Sequence, residues 1–150
     1  RQAWLDAHPS GRTLAITPLD RTPHHPTDLD AALPDVVDQI ERAIPTLLVV
    51  DDAELTDDPG GVVTRLVERR TPHLTVIVAA RPDAVRGAYG HWTTAVRRSR
   101  LGIVMAAGSD LDGDLLGAAI PRHLPIAARA GLAWVSAHGQ VLLAQLAALS

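Results

Sequence analysis

Two adjacent carboxylates, Asp51 and Asp52, follow directly on the apolar run Leu47-Leu48-Val49-Val50 in "PTLLVVDDAELTDD", Pro45 to Asp58. In open α/β sheets, ligands bind beyond the carboxyl ends of the strands. A carboxylate at that place can take a Mg²⁺ ion, and its neighbour can orient a nucleophilic water. Asp is equally common wherever a strand meets solvent, so spacing alone leaves both readings open. Arg81 stands just after a second apolar run, in "VIVAARPDAVRGAYGHW". There it can sense a bound phosphate or simply close a strand end. "VRRSR", Val96 to Arg100, sets three arginines before a further apolar run. They can reach a neighbouring subunit's phosphate, an acidic peptide or DNA, or they form a solvated helix end.

Two other clusters invite a metal reading and do not sustain it. His24 and His25 lie near Asp28 and Asp30 in the loop "RTPHHPTDLD". No third ligand stands at a fixed spacing, so these read as solvated loop histidines. "DLDGD", Asp110 to Asp114, resembles part of a calcium loop but lacks the bidentate glutamate that closes one. It reads as a turn and helix cap.

Composition narrows the chemistry further. With 150 residues, 47% of them hydrophobic, the chain fits one globular domain. A net charge of −3 leaves no basic footprint for nonspecific nucleic-acid binding. There is no cysteine, which excludes disulfides and thiolate metal sites. All 14 basic residues are arginine. A phosphate-binding loop of the form G-x-x-x-x-G-K-S/T needs a lysine to reach the β- and γ-phosphates, and no segment resembles that motif. There is no phenylalanine either, so the core must be aliphatic. No apolar run reaches the roughly 18 to 20 residues of a membrane span and no signal pattern opens the chain, so a soluble domain is expected. The chain opens at Arg1 without methionine, in "RQAWLDAHPSG", which reads as a helix end and a loop. The expectation is a segment of a longer protein with elements upstream.

The elements that must position these residues alternate in type. A short strand occupies "RTLAITPLD", Arg12 to Asp20. After the Pro- and His-rich loop, Thr27 or Asp28 can cap a helix over about Leu29 to Ile44, with Leu33, Val36, Val37, Ile40 and Ile44 on its apolar face. Pro45 ends it, and "TLLVV" is the second strand. An acidic loop leads to a short amphipathic helix in "GVVTRLVERR", with Val62, Val63, Leu66 and Val67 on one face. "HLTVIVAA", His73 to Ala80, is a near-continuous apolar strand of the kind covered on both faces. One or two short helices follow, then a fourth strand in "LGIVMAA" and a loop with a helical piece. Leu132 to Val135 and Val141 to Leu146 close the chain as a β-hairpin turning near Ala137 to Gly139. This order predicts an open, mainly parallel sheet with helices on both faces and antiparallel strands added by the hairpin.

Taken in order, the pieces resemble a known family. "PTLLVVDDAELTDD", "HLTVIVAARPDAVRGAYGHWTTAVRRSRLGIVM", "DLDGDLLGAAIPRHLP" and "ARAGLAWVSAHGQVLLAQLA" together look like the C-terminal two-thirds of an FtsK/SpoIIIE-type ATPase domain. The resemblance is closest to the actinobacterial EccC-like motor ATPases of type VII secretion and covers about residues 13 to 147. It implies a partial RecA-like P-loop NTPase fold, a mainly parallel sheet flanked by helices with a C-terminal β-hairpin. It places "LLVVDD" as the Walker B strand, with Asp51 at the Mg²⁺ position and Asp52 at that of the water-activating acid. "VIVAARPD" resembles the sensor strand, making Arg81 a γ-phosphate sensor, and Arg100 corresponds to a trans-acting arginine.

The resemblance also implies ATP and Mg²⁺ as cofactors, although this segment alone is not expected to bind them. It implies partnership with other domains of the parent chain, a ring-forming homo-oligomeric parent and a secreted peptide as substrate. It implies a cytoplasmic domain on a membrane-associated parent. Three departures qualify this. The Walker A region is absent, so the chain alone is expected to be inactive. Ala80 replaces the Gln of the family's Gln-Arg-Pro. Ala128-Arg129-Ala130 and Ala144-Gln145 stand where Gly-Arg-Gly and Val-Gln are usual. These changes fit a rival expectation, a catalytically dead module that binds a protein partner. A DNA translocase is a third, disfavoured by the acidic balance and the missing lysines.

Overall fold

The computed structural model describes residues 6–16, 29–105, 110–121, 131–137 and 139–146, with backbone alone at 14–16, Asp30 and Asp110. The chain divides into two compact units, Arg1–Val96 and Arg97–Ser150.

The first unit is built on a three-stranded parallel sheet in the order β1-β2-β3, with β1 at Arg12–Ile16, β2 at Thr46–Val50 and β3 at Leu74–Val78. The register sets Thr13 beside Leu47 and Leu47 beside Thr75. Helix α1, Leu29–Glu41, connects β1 to β2, and α2, Val62–Glu68, connects β2 to β3. Parallel neighbours need such crossovers, because a tight turn cannot return the chain to the same end of the sheet. Leu29, Ala32, Leu33 and Val36 of α1 pack with Leu48 and Val50 of β2, Val63 of α2 and Trp92. Leu74, Val76 and Val78 lie against this cluster. Two short helices follow β3: α3, Pro82–Arg86, with proline at its start where no N–H is needed, and α4, Thr93–Arg97.

Helix α1 stops three residues short of the expected Ile44. Ala43 takes a left-handed φ of 56°, its N–H bonds to the Ile40 carbonyl, and the Ile44 N–H reaches the Gln39 carbonyl. That pair of bonds is a Schellman ending, which satisfies carbonyls the last turn would leave open. Helix α2 ends the same way at Arg70, with φ 49° and a bond from Thr71 N–H to the Leu66 carbonyl.

The sheet departs from expectation in two respects. Strand β3 is not covered on both faces: Thr75 and Ile77 are exposed, Ile77 by 50%, and β3 is an edge. An apolar run reports attraction to a core, not the number of layers that cover it. Strand β4, Gly102–Met105, does not extend the parallel sheet. In the second unit it pairs antiparallel with β5, Leu132–Ala137, which pairs with β6, Gln140–Gln145. The hairpin is therefore the core of a separate three-stranded sheet. Cross-strand matches explain that choice, since Ile103, Val135 and Leu142 align, as do Val104, Trp134 and Leu143. The buried Ser136 hydroxyl, donating to the Arg100 carbonyl at 3.1 Å, fixes the register.

Candidate functional site

The parallel sheet brings Asp51, Asp52 and Arg81 to one end. Asp51 and Asp52 follow the last residue of the central strand β2, and Arg81 stands three residues beyond the end of neighbouring β3. The ladder continues past both strands, with Ala79 N–H bonded to the Val50 carbonyl at 2.9 Å and Ala53 N–H to the Ala79 carbonyl at 3.0 Å. The two chain segments that carry the candidate residues are thus tied backbone to backbone.

Asp51 is exposed, and its Oδ1 accepts the Asp52 N–H at 3.0 Å. Asp52 is half-buried and left-handed, with φ 44° and ψ 47°. Asp tolerates that region better than most residues, and a non-glycine there stores strain where the chain turns out of the strand. The turn leads into a short 3-10 segment, Ala53–Leu55. Among the described residues no three His, Asp or Glu side chains gather around one possible ion position. Mg²⁺ is commonly held by one or two carboxylates with waters and substrate phosphates, so the oxygen donors of Asp51 suit it chemically.

Arg81 is engaged by an acid that sequence reading passed over. Its Nε donates to Glu54 Oε1 at 2.6 Å, and its backbone N–H to Oε2 at 3.4 Å. The Glu54 side chain is 5% exposed and that of Arg81 67%. Burial pushes the Glu54 carboxyl up, but the Arg81 hydrogen bond, the backbone N–H groups of Glu54 and Arg81, and the Arg81 charge together hold it below its ordinary value. Arg81 is raised in turn, first by the hydrogen bond and charge of Glu54, with Asp83 and Asp52 adding to it. Nothing in the sequence points to this pair, which spans 27 positions.

Asp58 of the same loop is structural. Asp58 Oδ1 accepts the N–H groups of Val62 at 2.8 Å and Val63 at 3.3 Å, while Oδ2 accepts Thr64 N–H and Thr64 Oγ1–H, each at 3.0 Å. From three residues before the N-cap residue Gly61, it satisfies the first-turn N–H groups of α2. The Thr56 carbonyl accepts two bonds from the far side of the unit, from Trp92 Nε1–H at 2.6 Å and His91 Nε2 at 3.1 Å. A carbonyl only accepts, so Nε2 carries the proton, and Nδ1 accepts the Thr93 hydroxyl at 2.9 Å. These bonds pin the loop that begins with Asp51 to the start of α4.

The remaining candidates lie elsewhere. Arg100 belongs to the second unit, with φ 53°, and its side chain lies over Gly117. The "DLDGD" tract forms a 3-10 turn, Asp110–Leu116, closed by bonds from Gly117 N–H to Asp114 and Ala118 N–H to Gly113. Gly113 is required there, since a Cβ would meet the Ala118 carbonyl oxygen at 2.1 Å. His24, His25, Asp28 and Arg129 fall outside the described residues, and Asp30 is the second residue of α1. No helix among the described residues is long and apolar enough to cross a membrane. Comparison with protein-family models, characterised proteins and solved structures finds no match.

Proposed function

We propose that this chain supplies the Walker B and sensor elements of an FtsK/SpoIIIE-like motor ATPase module, of the kind that drives type VII secretion. The observation that supports the reading most is the placement of Asp51, Asp52 and Arg81 at the carboxyl ends of two adjacent, directly paired parallel strands. In this reading Asp51 holds Mg²⁺, which when bound would neutralise phosphate charge. Asp52 orients the attacking water, and Arg81 meets the γ-phosphate. Phosphoryl transfer depends mainly on positioning and charge stabilisation, so these groups need a phosphate-cradling loop from outside the chain to act. The edge offered by β3, Leu74-Thr75-Val76-Ile77-Val78, carries no charge and no proline that would oppose pairing with a further strand. Arg100 is the trans-acting arginine of this proposal, ATP with Mg²⁺ its cofactor, a homo-oligomeric ring its assembly and a membrane-associated parent its setting.

A second reading, an inactive module that binds a protein partner, draws on a different observation. Asp51 Oδ1 is turned onto the Asp52 N–H, and Arg81 Nε onto Glu54, so two of the candidate groups are partly engaged within the fold. Nucleotide binding by a protein that joins this chain to a phosphate-cradling loop separates the two. An active module binds Mg-ATP and loses about tenfold or more in affinity in Asp51→Ala. Unchanged Mg-ATP affinity in that variant would remove Asp51 from the metal role, and absent nucleotide binding would favour the inactive module. DNA-stimulated turnover would instead mark a DNA translocase.

A further inference from the structure

The guanidinium of Arg81 is held from one side. Glu54 takes Nε and the backbone N–H, and neither Nη group enters a hydrogen bond among the described residues. The acceptor is fixed in the fold, with its side chain 5% exposed, while the donor's side chain is 67% exposed. Glu54 also belongs to the 3-10 segment that follows Asp51 and Asp52, and that segment is bonded through Ala53 to Ala79, two residues before Arg81. Acid and base therefore stand on one connected backbone frame.

We infer that Glu54 is a positioning residue, which orients Arg81 so that its two Nη groups present a fork to a phosphoryl-type anion beyond the ends of β2 and β3. The inference rests on reading that sheet end as a phosphate site. A guanidinium matches a phosphate with two parallel N–H bonds when its plane is set correctly. An arginine on a free stem must lose rotamer freedom to reach that pose, and a fixed acceptor on Nε removes part of that loss before the anion arrives. Simple electrostatics gives the opposite sign: deleting a negative charge beside an anion site should tighten anion binding. The direction of the effect therefore decides the matter.

The test uses magnesium pyrophosphate as probe, titrated calorimetrically into a protein that joins this chain to the phosphate-cradling loop that the proposed function requires. Glu54→Ala is expected to bind about fivefold to tenfold more weakly than the wild type, the loss of one charge-assisted hydrogen bond. Glu54→Gln keeps a carbonyl acceptor for Nε and is expected within about threefold of the wild type. Arg81→Ala should lose at least as much as Glu54→Ala, with nothing further lost in the double variant. Equal or tighter binding by Glu54→Ala overturns the inference, and so does a wild-type protein, completed by that loop, that does not bind the probe. A measurement on the unmodified protein guards against a variant that fails to fold. The Arg81 Nη resonances should shift on titration while the Nε–H signal stays, and loss of the Nε–H signal means that the anion displaces Glu54 and overturns positioning. Asp51→Ala keeps the two levels apart. If it weakens binding and Glu54→Ala does not, the phosphate site stands and positioning by Glu54 falls; if it leaves binding unchanged, the metal role of Asp51 falls with it.

Discussion

Replacing Asp58 by alanine should destabilise the first unit by about 2–3 kcal/mol, although Asp58 lies in a loop whose acids look like metal ligands. One carboxylate accepts from the N–H groups of Val62, Val63 and Thr64 and from the Thr64 hydroxyl. Loss of a single capping bond costs about 1 kcal/mol, and bonds to a charged acceptor cost more. Water can reach the half-buried Val62 and Thr64 once the side chain is gone, which keeps the total below a simple sum. The seven residues of α2 are too few to hold a helix unaided, and the buried Val63 ties its first turn to the core. Fraying there is therefore felt in packing as well as capping. Urea denaturation at constant m-value measures the loss, and amide exchange at Val62, Val63 and Thr64 locates it. Asp58→Asn, with one acceptor oxygen instead of two, should recover roughly half. Asp51→Ala, which removes only one exposed bond to its neighbour, should stay within about 0.5 kcal/mol of the wild type. A similar small change for Asp58→Ala, with unaltered exchange at the three amides, would refute the assignment of this acid to the fold.

Three further outcomes follow from the same geometry. Trp92→Phe loses the Nε1–H bond to the Thr56 carbonyl but leaves that carbonyl its His91 partner, so thermal denaturation should report a loss of about 1–2 kcal/mol, against roughly 3–5 for Trp92→Ala. Ala43→Gly relieves a left-handed alanine at the end of α1 and, after allowing for the looser unfolded chain, should stabilise by about 0.5–1 kcal/mol; a loss of stability in denaturant would count against the Schellman ending. The third concerns pH. The Glu54 carboxyl is held below its ordinary value, so its stabilising effect is present above the unfolded pKa of about 4.3 and is lost as pH falls through the lower folded value. The stability gap between wild type and Glu54→Gln should therefore narrow on acidification through the carboxylate range, and a gap independent of pH there would rule out an ionised Glu54 as its source.

What could be read in the sequence divides along a physical line. Local signals carried well: the apolar spacing of α1, the short amphipathic run of α2 and the turn of the terminal hairpin all correspond to elements in the structure. Signals that depend on partners carried less far. "HLTVIVAA" announced a strand without saying that Thr75 and Ile77 would stay exposed, and "LGIVMAA" announced another without naming the strand it would join. The end of α1 was misplaced because alanine, not glycine, occupies its left-handed position.

The acidic loop shows the same division at the level of chemistry. Asp51, Asp52 and Arg81 were legible as residues that follow apolar strands, and parallel pairing puts them at one end of the sheet. Glu54 was not, because its partner lies on the next strand's exit and no spacing rule connects them. Asp58 was legible in principle, as an acid before a Pro-Gly-Gly turn and an amphipathic run, but the neighbouring acids suggested a different chemistry. Counting acids in "DDAELTDD" therefore overstates the donors available to an ion. The fold itself uses both oxygens of Glu54 and of Asp58, and one oxygen of Asp51. A metal role in this loop rests on the exposed Asp51 with the half-buried Asp52 beside it, and the variants that matter are those that separate these two from the acids already committed to structure.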